Sequence, residues 1–403
     1  MSSVQPSLDR RIGLGLLTLF GLGNILGAGI YVLVGEVIGA AGWGAPLAFA
    51  LAAASAAFSA VSYGELAARF PVSAGEAVYV EQAFRLRWLA MIVGLLIASA
   101  GMVSAATLAR GFVGYFQLFA PWPGWLLVPG LVAALGALAV WGIGASMRVA
   151  GLLTLIEAAG LVLVVVVAAD SFAELPARWP ALLELGPGAG AGILLGAFLA
   201  FFAYIGFEDM VNVAEEVERP ERNLPLAIII ALVVATVLYV LVVLVALLSV
   251  PVTELAASDA PLALVYSRAT GDVPAVIGIV GMLAVINGAL VQMIMASRVL
   301  YGMGRNGWLP QTLAKVDART RTPVTATLVA TGAVILLALW VPLVGLASAT
   351  SFLVLCVFTL INVALWRLKR VEPRVPGVSP CADWIPVVGA ITSAGLLGAR
   401  LVL

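Results

Sequence analysis

Glu157, Glu208 and the neighbouring Asp209, and Glu36 stand inside long apolar stretches of the sequence. A carboxylate at that depth in a membrane is expensive, so its presence asks for a function. The chain has no histidine and only two cysteines, Cys356 and Cys381. Buried proton chemistry therefore falls to carboxylates, and a Cys-rich metal cluster and a disulfide framework are both excluded. Glu157 follows Thr154 by three residues, on the same side of a helix, and is placed to bind and release a proton. Its competing role is a structural salt bridge or hydrogen bond. Glu208 directly follows a glycine-bearing stretch, where a fixed bond to unwound backbone competes with proton sensing. Glu36 reads as a solvated vestibule residue. Two further stretches carry chemistry without charge. They are Gly23-Asn24-Ile25-Leu26-Gly27-Ala28-Gly29-Ile30-Tyr31 and Phe201-Phe202-Ala203-Tyr204-Ile205-Gly206-Phe207-Glu208-Asp209. Each places glycine in the middle of an apolar segment.

The elements that carry these residues follow from composition. Of 403 residues, 63% are apolar and 10% charged, with a mean hydropathy of +1.13. A soluble ball cannot hide that much apolar surface, and zero net charge gives no basic excess for nucleic acid. The chain reads as an all-α integral membrane protein. Eleven stretches reach the roughly 20 apolar residues of a spanning helix. They cover 12–39, 45–68, 88–116, 124–143, 147–169, 191–214, 226–250, 273–301, 323–341, 343–366 and 384–402. With the N-terminus in the cytoplasm, 17 of the 21 Lys and Arg fall on the inner side and four on the outer. That asymmetry fixes the orientation and puts the C-terminus outside. The setting is the plasma (inner) membrane.

A long outer segment, 170–190, divides the spans into 12–169 and 191–366, with 384–402 as an extra helix. All belong to a single transmembrane domain. Two halves of five helices each must run oppositely through the bilayer, which is the arithmetic of an inverted repeat. Spans one and six then correspond, and both carry a glycine-bearing interruption. Unwound backbone at that depth is tolerated only where it lines a cavity. N–H groups at the start of a second half-helix suit a carboxylate, and freed carbonyls suit an ammonium. For Gly27-Ala28-Gly29 alone, close helix packing through small residues is the alternative.

GNILGAGIYVLVGE, YGELAARFP, FFAYIGFEDMVNVAEEVERPERNLP and ASRVLYGMGRNGWLP resemble the amino acid–polyamine–organocation transporters, nearest to the cationic amino acid transporters and their bacterial relatives. The resemblance covers about residues 10–366. It implies the five-plus-five, LeuT-type fold with broken helices one and six. It implies that the substrate carboxylate meets N–H groups of Gly27, Ala28 and Gly29, and the ammonium meets carbonyls of Ile25, Phe202 and Ile205, with Ala203 in the same stretch. Phe202 would close over the substrate from outside. Candidates for the side-chain pocket are Ala98, Met102, Gln292 and Ser348, each with plain helix packing as its alternative. The resemblance also ties a glutamate at the place of Glu208 to proton sensing. Two departures stand out. Many members carry a lysine where this chain has Glu157, and many have twelve spans.

The expected function is secondary active transport of cationic or neutral L-amino acids, coupled to protons. Sodium coupling is the rival, although span eight, with Asn287, Gln292 and Ser297, lacks a neighbouring Ser/Thr pair. Exchange, polyamine transport and a transport-dead sensor are further alternatives. No cofactor, resident metal or enzymatic site is expected. The partners are the amino acid, the coupling ion and the lipid bilayer. The cytoplasmic loop with Glu215, Glu216, Glu218, Arg219, Glu221 and Arg222 reads as a salt-bridged connection, or as an inner gate.

Overall fold

The computed structural model describes residues 12–27, 29–71, 75–141, 147–183, 188–320, 322–373 and 375–403. Ala28, Arg10, Arg11, Arg321 and Arg374 lie outside the described residues, as do the side chains of Arg148 and Glu215.

The described chain is helical. Its α-helices are α1 (Leu14–Leu26), α2 (Gly29–Ala41), α3 (Ala45–Arg69), α4 (Gly75–Phe84), α5 (Arg87–Gln117), α6 (Gly124–Trp141), α7 (Met147–Val167) and α8 (Leu175–Leu183). There follow α9 (Ala189–Ala200), α10 (Pro220–Ser249), α11 (Val252–Ala256), α12 (Pro261–Thr270), α13 (Ala275–Arg305), α14 (Val324–Trp340), α15 (Leu343–Val371) and α16 (Trp384–Val402). Among the described residues, nine helical stretches are long and apolar enough to cross a membrane, and α1 and α14 are shorter apolar helices. Many apolar side chains face outward along these helices, among them Leu152, Val166, Leu328, Leu336 and Ile391. Exposed tryptophans mark helix ends: Trp125 and Trp141 on α6, Trp340 on α14 and Trp384 on α16. Apolar flanks edged by tryptophan are the pattern of a lipid-facing surface.

The expected spans agree with these helices to within a few residues at most ends. The segment 170–190 differs, because it holds a 3₁₀ turn (Ala169–Glu174) and α8 where a polar connection was expected. Arg178 of α8 lies over the Trp43 ring, 5.7 Å from its centre. The sequence reading also missed α4, α11 and α12, which are too short to announce themselves by apolar length.

At the centre, α13 packs along α5, α10 along α3, and α1 against α7 and α10. Two chain segments leave regular α-helix there. α1 ends at Gly27, whose N–H still donates to Gly23 O at 2.8 Å, and α2 starts at Gly29. α9 tightens into a 3₁₀ turn, Phe201–Tyr204, then Ile205 is extended (φ −67°, ψ 138°). A second 3₁₀ stretch, Glu208–Glu216, continues the chain. Runs of that length are uncommon and often mark a functional hinge. Glycine is required at this crossing. Gly206 has φ +128°, and a Cβ there would lie 2.6 Å from Asn24 C and O. A Cβ on Gly29 would lie 2.4 Å from Ala203 Cα. The two irregular segments therefore touch backbone to backbone.

Candidate functional site

A pocket lies where the two segments meet. Ile25, Gly27 and Gly29 line it from the first segment, and Phe202 and Ile205 from the second. Gln292 and Gly288 of α13 and Ser104 of α5 complete its polar and close-packed walls. A second pocket shares Ser104, Ile205 and Gln292 with the first. It adds Glu76, Glu208, Asp209 and Tyr63 to apolar walls from Ile97, Ala100, Val354 and Phe358.

Helix periodicity explains which faces reach this space. On α5 the lining residues are Ile97, Ala100, Gly101, Ser104 and Leu108, a 3–4 repeat. Ala98 and Met102 stand off that stripe and line neither pocket. Ala98 packs with Leu300, Ala326 and Ala330, and Met102 is a part-buried core residue. On α15 the stripe is Thr350, Val354, Val357 and Phe358. Ser348 lies two residues, about 200°, round the helix from Thr350 and misses it. Gln292 lines both pockets, on an α13 face with Gly288, Val291, Met295 and Ala296.

The expected backbone groups are partly engaged. Ile25 O accepts from the Tyr239 hydroxyl at 2.7 Å, and Ala203 O lies 3.0 Å from the same oxygen. One phenol proton serves both carbonyls, so neither carries a full partner. Phe202 O accepts from Ile205 N–H at 3.2 Å. Gly27 N–H is spoken for within α1, whereas the first N–H groups of α2, beginning at Gly29, are the orphans of a helix start. Tyr239, deep in α10, was not foreseen. A lone tyrosine in an apolar run gives no sign that its hydroxyl spans two unwound segments.

Glu157 lies behind the pockets rather than in their walls, and is fully buried. Its Oε1 accepts from Asn287 Nδ2 at 3.1 Å, while Oε2 has no partner among the described residues. Its carbonyl accepts from the Tyr31 hydroxyl at 2.7 Å. One turn earlier, the Thr154 hydroxyl lies 3.1 Å from Leu19 O of α1. Gly23 packs on that hydroxyl so tightly that a Cβ would sit 2.0 Å from it. Glu157 thus joins α7 to α13 beside Gly288, and Gly288 in turn lies against Gly27 O.

Glu208 turns back on its own segment, and its Oε2 accepts from Gly206 N–H at 2.8 Å. Asp209, buried, takes a 3.3 Å bond from Gln292 Nε2. Glu36 is half-buried on α2 and lines neither pocket. The loop after Glu208 is pinned by main chain: Ile12 N–H donates to Glu216 O and Glu218 N–H to Ile12 O, both at 3.0 Å. Arg219 there takes a left-handed conformation, φ 48°. Glu76, missed in the sequence, lies on α4 within 3.5 Å of the Tyr63 hydroxyl. Burial, with the charge of Asp209 adding to it, pushes the Glu76 carboxyl up to about 7. Among the described residues, no cluster of three or more His, Cys, Asp or Glu has the arrangement of a metal site.

Comparison with known proteins places this geometry. Residues 13–399 match the amino acid permease family. The chain is 33% identical to the branched-chain amino acid permease BcaP of Bacillus subtilis (strain 168), over 96% of this chain and 86% of that protein. It is 32% identical to the chloroplastic cationic amino acid transporter 9 of Arabidopsis thaliana, over 78% of this chain and 58% of that protein. It is 30% identical to the methylthioribose transporter of Bacillus subtilis (strain 168), over 98% of this chain and 88% of that protein.

Proposed function

This chain belongs to the amino acid permease family, within the amino acid–polyamine–organocation superfamily, and from that premise we propose that it is a proton-coupled secondary transporter of cationic or neutral L-amino acids. One observation carries the reading: both irregular segments line the same pocket, so backbone from both reaches one ligand. The start of α2 offers N–H groups to the carboxylate. The carbonyls of Ile25, Ala203 and Phe202, only partly satisfied by Tyr239 and Ile205, receive the ammonium. Phe202 stands over the ligand. The larger pocket takes the side chain, with Gln292 between the two spaces. Its apolar and acidic walls admit an apolar side chain or one with a positive tip, and repel an acidic one. The names of the relatives span both kinds.

In this reading α1 and α2 are the halves of a first membrane span, and α9 with Glu208–Glu216 forms the sixth. Eleven spans then divide into inverted repeats, 12–169 and 191–366, followed by 384–402. Lys and Arg place the N-terminus and the pocket-facing ends of α4 and α13 in the cytoplasm. Glu157 carries the coupling proton. Its Oε2 lacks a partner, as suits a neutral acid, and its Asn287 bond abuts the Gly288–Gly27 contact. Protonation there therefore biases the α1–α13 packing that opening to either side must change. Glu208, held by Gly206, ties the second segment to the same pH response.

Reconstitution tests this. Labelled L-leucine, L-valine, L-lysine, L-arginine and L-glutamate are offered to proteoliposomes under an inward proton gradient and, separately, an inward sodium gradient. Proton-driven accumulation of a neutral or cationic member, indifferent to sodium, is the expected result. Sodium-driven accumulation overturns the coupling and leaves the clamp. Binding without flux turns the carrier into a sensor.

A further inference from the structure

Beyond the two central pockets, a third cavity of about 1000 Å³ opens at the Arg-bearing ends of α5 and α13. Asn212, Glu216, Arg298, Asn306 and Trp308 line it. It shares three residues with the acidic central pocket: Ile97, Met295 and Glu76. Two of these are apolar side chains. Among the described residues, Glu76 is the one ionisable residue that the two spaces share, and it is 4% exposed. On the central side it shares the pocket wall with Glu208 and Asp209, and among the described residues no Lys or Arg lines that pocket. There too lies Ser104, 4% exposed. On the other side, Arg298 and Glu216 line the open cavity.

The geometry points to Glu76 as a proton relay between the central pocket and the cytoplasm. A carboxyl proton of Asp209 or Glu208 passes to a Glu76 oxygen. That breaks one O–H bond, forms another and leaves the donor as carboxylate. Glu76 then yields the proton to water in the cytoplasmic cavity, restoring its own carboxylate. One proton crosses a constriction otherwise walled by Ile97 and Met295, and nothing is oxidised or reduced. Each group facing Glu76 fits. Tyr63 of α3 holds one oxygen in place. Glu208 and Asp209 are its partners across the pocket, Tyr79 lies on its own helix, and Arg298 of α13 with Glu216 waits on the exit side. α5 presents uncharged Gly94 and Ile97. The charged contact of α15 with α4 is Arg367 over Phe84, two turns from Glu76. Burial places the Glu76 titration near neutrality, where a relay works in both directions.

The inference rests on proton coupling, so its test separates the two. Wild type, Glu76→Gln, Glu76→Asp and Glu157→Gln are reconstituted with an entrapped pH dye. Each is given whichever of L-leucine, L-valine, L-lysine or L-arginine the wild type moves fastest. Equilibrium binding, labelled exchange at equal pH and substrate-linked proton flux are read for each. In Glu76→Gln, proton flux should fall roughly tenfold or more relative to labelled exchange in the same variant, and its dependence on lumenal pH flattens between about 6 and 8. Glu76→Asp should restore flux with a displaced pH profile. Unchanged flux and profile in Glu76→Gln, with flux lost in Glu157→Gln, overturns the relay and keeps the coupling reading. If Glu76→Gln loses binding altogether, Glu76→Asp decides, and a profile identical to wild type overturns the relay. A wild type that moves substrate without protons overturns both.

Discussion

Two groups of buried carboxylates in this molecule are built in opposite ways. Glu65, at the end of α3, is saturated. Its Oε1 accepts from Arg69 Nε at 3.0 Å and a terminal Arg69 nitrogen at 2.6 Å. Its Oε2 accepts from Cys381 N–H at 2.8 Å and Lys369 Nζ at 3.5 Å. Arg69 goes on to Glu372 O and Lys369 to Asp383, so one carboxylate ties α3, α15 and the approach to α16. The carboxylates at the crossing have no such neighbours. Among the described residues, Glu157 leaves an oxygen unpaired, Glu208 and Asp209 take hydrogen bonds from neutral donors, and Glu76 faces a tyrosine. A buried charge kept for structure is surrounded by cations and donors. One left unsaturated beside a cavity retains the capacity to take a proton or a ligand.

The contrast breaks most visibly at Glu65. Glu65→Ala leaves Arg69 and Lys369 buried without their carboxylate, and breaking such a pair costs roughly 3–5 kcal/mol. Thermal unfolding in detergent should drop accordingly, and a shift of only a few degrees would mean the network is decorative. Glu76 comes next, through pH. Its carboxyl is raised from the usual carboxylate range to about 7, so the folded form binds the extra proton between those values. Its stabilising contribution is complete below about pH 4.5 and is lost as pH rises toward 7, by about 3 kcal/mol at most. Wild-type melting temperature should fall across that interval, and Glu76→Gln should flatten that part of the curve. A parallel curve would place the titration elsewhere.

Glu157 sharpens the contrast by separating stability from function. Glu157→Gln keeps the Asn287 bond through its amide oxygen and removes the titrating group. Melting should change by less than about 1 kcal/mol. Proton-driven accumulation should fall by roughly tenfold or more, with binding retained. Coupling that survives intact would move Glu157 to the structural group, beside Glu65.

How much of this was legible follows from the same distinction. Apolar runs and the Lys/Arg count outline the long helices, because lipid imposes a composition on each residue of a span. The irregular backbone at Gly27 and at Phe201–Tyr204 falls inside the glycine-bearing stretches that the sequence singles out, where Gly29 and Gly206 admit the close backbone approach. Depth alone flagged Glu157 and Glu208. Glu65 went unremarked, because its partners Lys369 and Cys381 are some 300 residues away in sequence. Glu76 was hidden in a ten-residue helix between spans, and its cavity exists only once α3, α5 and α13 are assembled. Ala98, Met102 and Ser348 lie on α5 and α15 but off the stripes that line the two pockets, since a shift of one or two residues turns a side chain to another face.

Tyr239 gives the smallest expected effect and the finest test. Its hydroxyl lies 2.7 Å from Ile25 O and 3.0 Å from Ala203 O, one proton for two carbonyls from the two irregular segments. Tyr239→Phe keeps the ring packing on Phe49 and Tyr204 and removes that proton alone. A shared bond of this kind is worth about 1 kcal/mol to the fold, since both carbonyls lose part of a partner together. If the substrate ammonium is their proper donor, the loss belongs to the empty state only. Ligand binding restores the missing donor, so affinity in Tyr239→Phe should rise by up to about fivefold while the ligand-free protein melts lower. Isothermal titration with the transported amino acid, set beside melting with and without it, reads both sides. Weaker binding in the phenylalanine variant would mean that Tyr239 holds the segments in the binding shape. The ammonium would then have to be received elsewhere, with the carboxylates of the larger pocket the next candidates.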